Sequence, residues 1–298
     1  MSAPEARSRD HRFAATLALA FGIVCIGFSA IFVKLAGVPG PVSAFYRVLI
    51  AGAVVIPWWL IRGRRRPCAH DLGLIIAGGV FFGADIALWN SSLMLTSAAT
   101  ATLLANNSPL WVGLASFALF RERLSGRYWL GLALALGGMM WLMGGDAFRH
   151  LGLNPGNLLA VAASVFYAAY ILTTQRARVR VDLATFMGIS AVASIATLLV
   201  LNLAMGTALT GYSHRAWLAL AGLGLISQLG GWLAINYALG HLRAAPVSVS
   251  LLSQTVVTAL VSMPLLGEYM KANQISGGVL VLAGIYFATQ RSAAPGID

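Results

Sequence analysis

Ten stretches of about twenty mostly apolar residues, separated by short polar or basic segments, leave this 298-residue chain few folds to choose from. They fall near residues 15–36, 43–61, 73–96, 98–119, 128–145, 156–175, 184–206, 216–239, 245–266 and 274–290. In hydrocarbon a backbone must satisfy its own hydrogen bonds, so each stretch reads as a membrane-spanning helix. Composition agrees: 59% of residues are hydrophobic, only 10% are charged, and mean hydropathy is +0.81. A soluble domain carries roughly 25% charged residues. The first run follows a basic start, as a signal peptide would. It is too long for an ordinary signal core and ends at Lys34 without a cleavage site, so it reads as an uncleaved first span.

The second constraint is a duplication. Sliding Asn90–Gly138 forward by 146 residues lays it without gaps on Asn236–Gly284. Asn90 then pairs with Asn236, Ser116 with Ser262, Glu122 with Glu268, and Gly131 and Gly138 with Gly277 and Gly284. Repeats in a membrane chain point to a transporter. The expected organisation is a short N-terminal segment (1–14), a first five-helix repeat (15–145), a loop (146–155), a second repeat (156–290) and a tail (291–298).

Charge sets the orientation, because cytoplasmic loops collect Lys and Arg. With the N-terminus cytoplasmic, Arg7, Arg9, Arg12, Arg62, Arg64, Arg65, Arg66, Arg121, Arg123, Arg127, Arg176, Arg178, Arg180, Arg243 and Arg291 lie inside. Lys34, Arg149, Arg215 and Lys271 lie outside, and Arg47 sits within the second span. Both termini are therefore expected in the cytoplasm. Five helices per repeat is an odd number, so the second copy enters the membrane from the opposite side. The fold class is all-α integral membrane, with ten transmembrane helices as two inverted five-helix repeats around a central cavity, a common basis for alternating access.

Other classes find little support. The net charge of +11 is spread in clusters between apolar runs, where it orients helices and meets anionic head groups, so no nucleic acid is expected. Cys25 and Cys68 cannot form a disulfide framework. No GxxxxGK[ST] loop is present, the five His are scattered without metal spacing, and no cofactor is expected.

The ten-span duplication, the run Ala44-Phe45-Tyr46-Arg47-Val48-Leu49, the Pro109–Glu122 stretch leading to Gly131–Gly138, and its echo Pro264–Glu268 leading to Gly277, Gly278 and Gly284 resemble the EamA family of the drug/metabolite transporter superfamily. Within it the chain looks most like bacterial amino-acid exporters of the YddG type. The resemblance covers nearly the whole chain. It implies a central cavity lined from both halves, export of amino acids or related metabolites, and a fifth and tenth helix that stand off the transport path.

Polar groups at membrane depth usually face the protein interior or a water-filled cavity. On the third span, Phe82, Asp85 and Trp89 share one stripe with Asn90 beside it; on the eighth, Gln228, Trp232 and Asn236 are spaced by four. Indole supplies apolar area and amides orient polar groups, which suits a small amphipathic ligand. Asn106, Gln254, Tyr170 and Phe28 complete the candidate cavity. Asp85 reads either as a proton or substrate-ammonium site, or as a buried partner for Arg47 or Lys34. Arg47 reads as a gating or structural group, or snorkels to the head groups. Taken singly, the amides also suit interhelical bonds worth about 0.6 kcal/mol each, and the aromatics suit packing. The glycines of the fifth and tenth spans read as close-packing or dimer seams.

The chain is therefore expected to be a bacterial inner-membrane secondary transporter, monomer or homodimer, in contact with membrane lipid and a small-molecule substrate. Neutral or aromatic amino acids, or similar metabolites, are the expected cargo. Drugs, lipophilic cations or nucleotide-linked metabolites are the alternative. An intramembrane enzyme is remote, since the spans hold no nucleophile–base pair or metal pair.

Overall fold

Where the sequence runs apolar, the chain is helical. The computed structural model describes residues 3–62, 67–92, 95–96, 98–121, 124–144, 154–266 and 272–290. Its helices are α1 (Ala3–Gly27), α2 (Ser29–Ala36), α3 (Gly40–Arg62), α4 (Ala69–Ser92), α5 (Ala98–Ala105), α6 (Ser108–Phe120), α7 (Gly126–Met143), α8 (Pro155–Arg178), α9 (Leu183–Ala204) and α10 (His214–Gly222). A π-helical segment, Leu223–Gly231, joins α10 to α11 (Trp232–Leu239). After α12 (Ala244–Ser250) one 3-10 turn, Leu251–Ser253, leads into α13 (Gln254–Leu266), and α14 (Ala272–Thr289) follows. No strand occurs among the described residues.

Local chemistry sets the helix ends. Asn154 caps α8 by accepting the Asn157 N–H at 2.9 Å, with Pro155 in the first turn where its missing N–H costs nothing. Asp182 caps α9 through the Thr185 N–H at 3.0 Å. Gly37 ends α2 at φ 58°, a left-handed position that glycine occupies without strain.

Among the described residues, 8 helical stretches are long and apolar enough to cross a membrane: Arg12–Ala36, Gly40–Arg62, Ala69–Ser92, Pro155–Arg178, Leu183–Ala204, His214–Leu239, Ala244–Val261 and Ala272–Thr289. The protein is an all-helical, multi-pass membrane protein. The other two expected spans are also helical, one interrupted between α5 and α6, the other α7 with 18 residues. Helix α1 begins well before the apolar run, so the segment expected ahead of the first span continues its helix. The paired Glu122 and Glu268, the loop up to residue 153 and the tail from residue 291 lie outside the described residues.

The most extensive helix pairings are α7 with α14, α4 with α8 and α3 with α9. Between α7 and α14 the backbones themselves touch. A Cβ added at Gly131 would meet the Gly284 carbonyl oxygen at 2.5 Å, and one at Gly277 would meet that of Gly138 at 2.8 Å. Gly131 and Gly277 stand 146 residues apart, as do Gly138 and Gly284, so each contact is the image of the other under exchange of the halves. The same exchange relates two helix interruptions: Asn106–Asn107 between α5 and α6, and the turn Leu251–Ser253 between α12 and α13. Asn90 and Asn236 follow it too, one reaching Ser43 at the start of α3 and the other Met187 at the start of α9.

Candidate functional site

Bare backbone on the π segment brings it close to α3. A Cβ on Gly224 would strike Ile50 Cβ at 2.7 Å, so here the π segment lies directly on α3 beside Arg47. Four residues on, Gln228 faces the guanidinium, and Arg47 Nε donates to Gln228 Oε1 at 2.6 Å. Both side chains are buried. A π-helix replaces N–H(i)→O=C(i−4) bonds with N–H(i)→O=C(i−5) ones, leaving backbone groups out of step, and such segments are frequent at functional sites.

Asp85 of α4 lies near Arg47, and Tyr167 and Tyr170 lie near both. The two charges form no ion pair within 4.0 Å. Asp85 is 9% exposed and has no hydrogen-bond partner among the described residues. A buried carboxylate without direct partners is costly.

Aromatic rings wall this pair. Trp232 packs edge-on against Phe82 at 4.9 Å, Tyr170 at 5.2 Å and Tyr167 at 5.8 Å between ring centroids. Phe82 and Tyr170 meet at 4.8 Å. The Trp232 indole N–H is buried without an acceptor. Close by, Tyr170 donates its hydroxyl to Asn236 Oδ1 at 3.0 Å, and Asn236 Nδ2 points at Met187 Sδ at 3.0 Å. Phe82, Tyr170, Gln228 and Asn236, with Ser190 and Ser194 of α9, enclose a void of about 20 Å³. That holds one water at most and is far below the several hundred Å³ of a ligand pocket. The centre is closed around its polar groups in this conformation.

A second cluster gathers where three helical runs are broken. Phe28 separates α1 from α2, and two hydroxyls from the other half reach the carbonyls just before it: Ser227 Oγ to Cys25 O at 2.9 Å and Thr258 Oγ1 to Gly27 O at 2.8 Å. Asn107 donates to Leu103 O and Leu104 O at the break between α5 and α6. Gln254 opens α13 after the 3-10 turn and donates to Asn106 Oδ1 at 3.2 Å, so the two related breaks touch. Ser29 Oγ is buried here with no partner. Side chains thus answer the backbone groups freed by each break, as a membrane interior requires.

The expected site residues therefore divide. Arg47, Asp85, Tyr170, Gln228, Trp232 and Asn236 form one buried cluster; Phe28, Asn106 and Gln254 sit at the helix breaks. Asn90 leaves the cavity stripe: its amide donates to Gly40 O at 2.8 Å and Ser43 Oγ at 3.3 Å, tying α4 to the start of α3. Trp89 is half-buried and outside the aromatic cluster. Pro109 lies in the first turn of α6, just after the break. Helix α9 adds residues absent from the expected site, although Ser190 and Ser194 at i and i+4 put two hydroxyls on one face. Phe82 keeps its place on the stripe, and Tyr167 joins the cluster as well, through ring packing that helical spacing alone does not specify.

A helical membrane bundle with a buried polar cluster at interrupted helices is the architecture of a transporter. The model of the EamA-like transporter family matches residues 13–144 and 154–290, and the chain belongs to that family. It is similar to the uncharacterized transporter YdfC of Bacillus subtilis, 22% identical over 270 residues, covering 90% of this chain and 88% of that protein. A probable terminal-alkyne amino-acid exporter of Streptantibioticus cattleyicolor is 26% identical over 236 residues, 77% of either chain. A solved crystal structure shares the fold, with a TM-score of 0.78 at 23% identity over 92% of this chain and 97% of the other. The protein is a membrane transporter and not an enzyme.

Proposed function

We propose that this transporter is a ten-span secondary carrier of the bacterial inner membrane, with cytoplasmic termini, that exports neutral or aromatic amino acids or similar zwitterions. The observation that carries the reading is the burial of two opposite, mutually unbonded charges beside aromatic rings: Arg47 for a carboxylate, Asp85 for an ammonium, and Phe82, Tyr167, Tyr170 and Trp232 for an apolar side chain. A zwitterion replaces, for both charges, the water they lose on burial. The relative that is a probable amino-acid exporter is consistent with this cargo. Two inverted five-helix repeats are supported by the mirrored glycine contacts between α7 and α14 and by the matched helix breaks. Those breaks and the π segment supply the hinges by which the closed centre opens to one side and then the other.

The same carboxylate under aromatic rings also suits a lipophilic cation, and one experiment separates the two. Purified protein in liposomes is given labelled neutral and aromatic amino acids, then a lipophilic cation, with and without a pH gradient. Saturable amino-acid flux is expected. Trp232→Ala is expected to lower kcat/KM about tenfold, and Asn236→Ala to lower it too, in protein that elutes and melts as folded. Cation flux alone would overturn the amino-acid reading. Unchanged rates in both variants would remove α11 from the site.

A further inference from the structure

The face of α8 that turns toward the closed centre continues beyond it. Tyr167, Tyr170, Thr174 and Arg178 stand at i, i+3, i+7 and i+11, so one stripe runs from the aromatic cluster to the C-terminal end of the helix. Thr174 is fully buried on that stripe. Arg178 spends its donors on backbone: Nε donates to Asn236 O of α11 at 3.2 Å, and Nη1 donates to Val181 O in the connection to α9. Asp182, which caps α9, lies near the guanidinium and balances its charge.

The way α11 ends gives Arg178 its acceptor. In an unbroken α-helix the Asn236 carbonyl takes the N–H of residue 240. Here the Gly240 N–H bonds Tyr237 O at 3.1 Å, and the guanidinium reaches the Asn236 carbonyl. A cation at a helix C-terminus is favourable in itself. Gly240 keeps the place open, since a Cβ there would stand 3.0 Å from Arg178 Nη2. One side chain thus ties together the end of α8, the connection to α9 and the end of α11.

Asn236 is fastened on two sides. Arg178 holds its carbonyl, while its amide accepts the Tyr170 hydroxyl and points at Met187 of α9. Parting α11 from α8 and α9 at this end breaks all three contacts. The repeat-related Asn90 is held otherwise: its amide donates to Gly40 O, and its carbonyl oxygen lies 2.8 Å from where a Gly40 Cβ would stand. Helix α4 separates the two fastenings, with Asp71 in its first turn beside Arg180 and Asn90 in its last turn beside Ser43. Close backbone shuts one end of the bundle, and a single cation ties the other.

We propose that Arg178 is the latch of its end, a positioning residue that fixes the site amide Asn236 and keeps α11 shut against α8 and α9. The inference rests on the proposed transport site, whose orientation puts this end at the cytoplasm.

The test is the rate at which a water-soluble methanethiosulfonate modifies Thr174→Cys and, in a separate protein, Ser43→Cys, in full-length chains held in nanodiscs with Cys25→Ser and Cys68→Ser as background. Adding Arg178→Gln is expected to speed labelling of Thr174→Cys about tenfold, the shift from losing one charge-assisted bond, and to leave Ser43→Cys no faster. Arg178→Lys, which keeps the charge without the fork of donors, is expected to recover part of the protection. Gly240→Val crowds the guanidinium with its charge intact; it is expected to act in the same direction and carries the test if Arg178→Gln does not fold. Unchanged labelling of Thr174→Cys in the Arg178→Gln and Gly240→Val proteins overturns the proposal. Equal acceleration of Thr174→Cys and Ser43→Cys also overturns it, because a general loosening moves both ends. No substrate enters the assay, so failure of the latch is distinct from failure of the amino-acid reading, which the flux experiment decides.

Discussion

Gly131→Val is expected to lower the melting temperature of the purified protein by on the order of 10 °C, whereas Gly137→Val, on the same helix, leaves it unchanged. The difference lies in what a side chain would meet. At Gly131 the first added carbon would stand 2.5 Å from the Gly284 carbonyl oxygen, and Ala288 backbone crowds it as well. At Gly137 nothing lies within 4 Å. A flexible side chain yields by changing rotamer; a helix backbone yields only by moving the whole helix. Overpacking a core ordinarily costs about 1–3 kcal/mol, and here separating α7 from α14 also gives up the contacts along the seam. In lipid those contacts are what hold the helices together, because burial of apolar surface adds little when the solvent is itself apolar. Gly284→Val is expected to match Gly131→Val, since its Cβ would meet the Gly131 carbonyl oxygen at 2.6 Å. Equal melting of the Gly131 and Gly137 variants would mean that the seam is not close-packed in solution.

That seam is legible in the amino-acid sequence, and the reason is physical. Glycine inside an apolar helix costs stability unless another backbone needs the room, so Gly131, Gly138, Gly277 and Gly284 announce a close approach. Trp232, Asn236 and Gln228 are legible because a helix places i, i+4 and i+8 on one face. Their partners are not. Whether Asp85 meets Arg47, Lys34 or neither depends on how α3, α4 and the π segment cross, and the pattern within one helix is silent on that. The π segment itself has no composition of its own; Leu223–Gly231 reads as ordinary apolar helix with glycines. Asn90 misleads for a related reason. Its spacing fits the stripe, but a lone amide near a helix end is equally suited to bonding the first turn of the next helix, and the Gly40 carbonyl is within reach. The breaks at Asn106–Asn107 and Leu251–Ser253 fall between: the amides and Pro109 hint at the first, while the second carries no proline and shows only through the repeat.

Arg47→Met is expected to be among the most damaging single substitutions at the centre, and the way Asp85→Asn modifies it tells what the two charges are for. Removing the cation leaves Asp85 buried with no compensating charge within bonding distance among the described residues, a situation that costs about 3–5 kcal/mol. Asp85→Asn alone leaves Arg47 its bond to Gln228, so the loss of stability is smaller. The double variant Arg47→Met/Asp85→Asn removes both charges, and its melting temperature is expected to recover toward that of Asp85→Asn. The coupling read from such a cycle is expected at about 2 kcal/mol. Additive effects would show that the charges act independently across their gap. Transport then decides between two roles that stability cannot separate. If the charges only neutralise one another, the double variant, being folded, transports as the wild type does. If Arg47 holds the substrate carboxylate and Asp85 its ammonium, the double variant stays folded and inactive toward zwitterions. Asp85→Asn alone then binds them more weakly, by a factor of about ten to a hundred for one charge-assisted hydrogen bond. Recovery of stability without recovery of flux is the expected outcome, because a closed centre with a carboxylate that lacks a direct partner and an indole N–H that lacks an acceptor has polar groups still waiting to be matched.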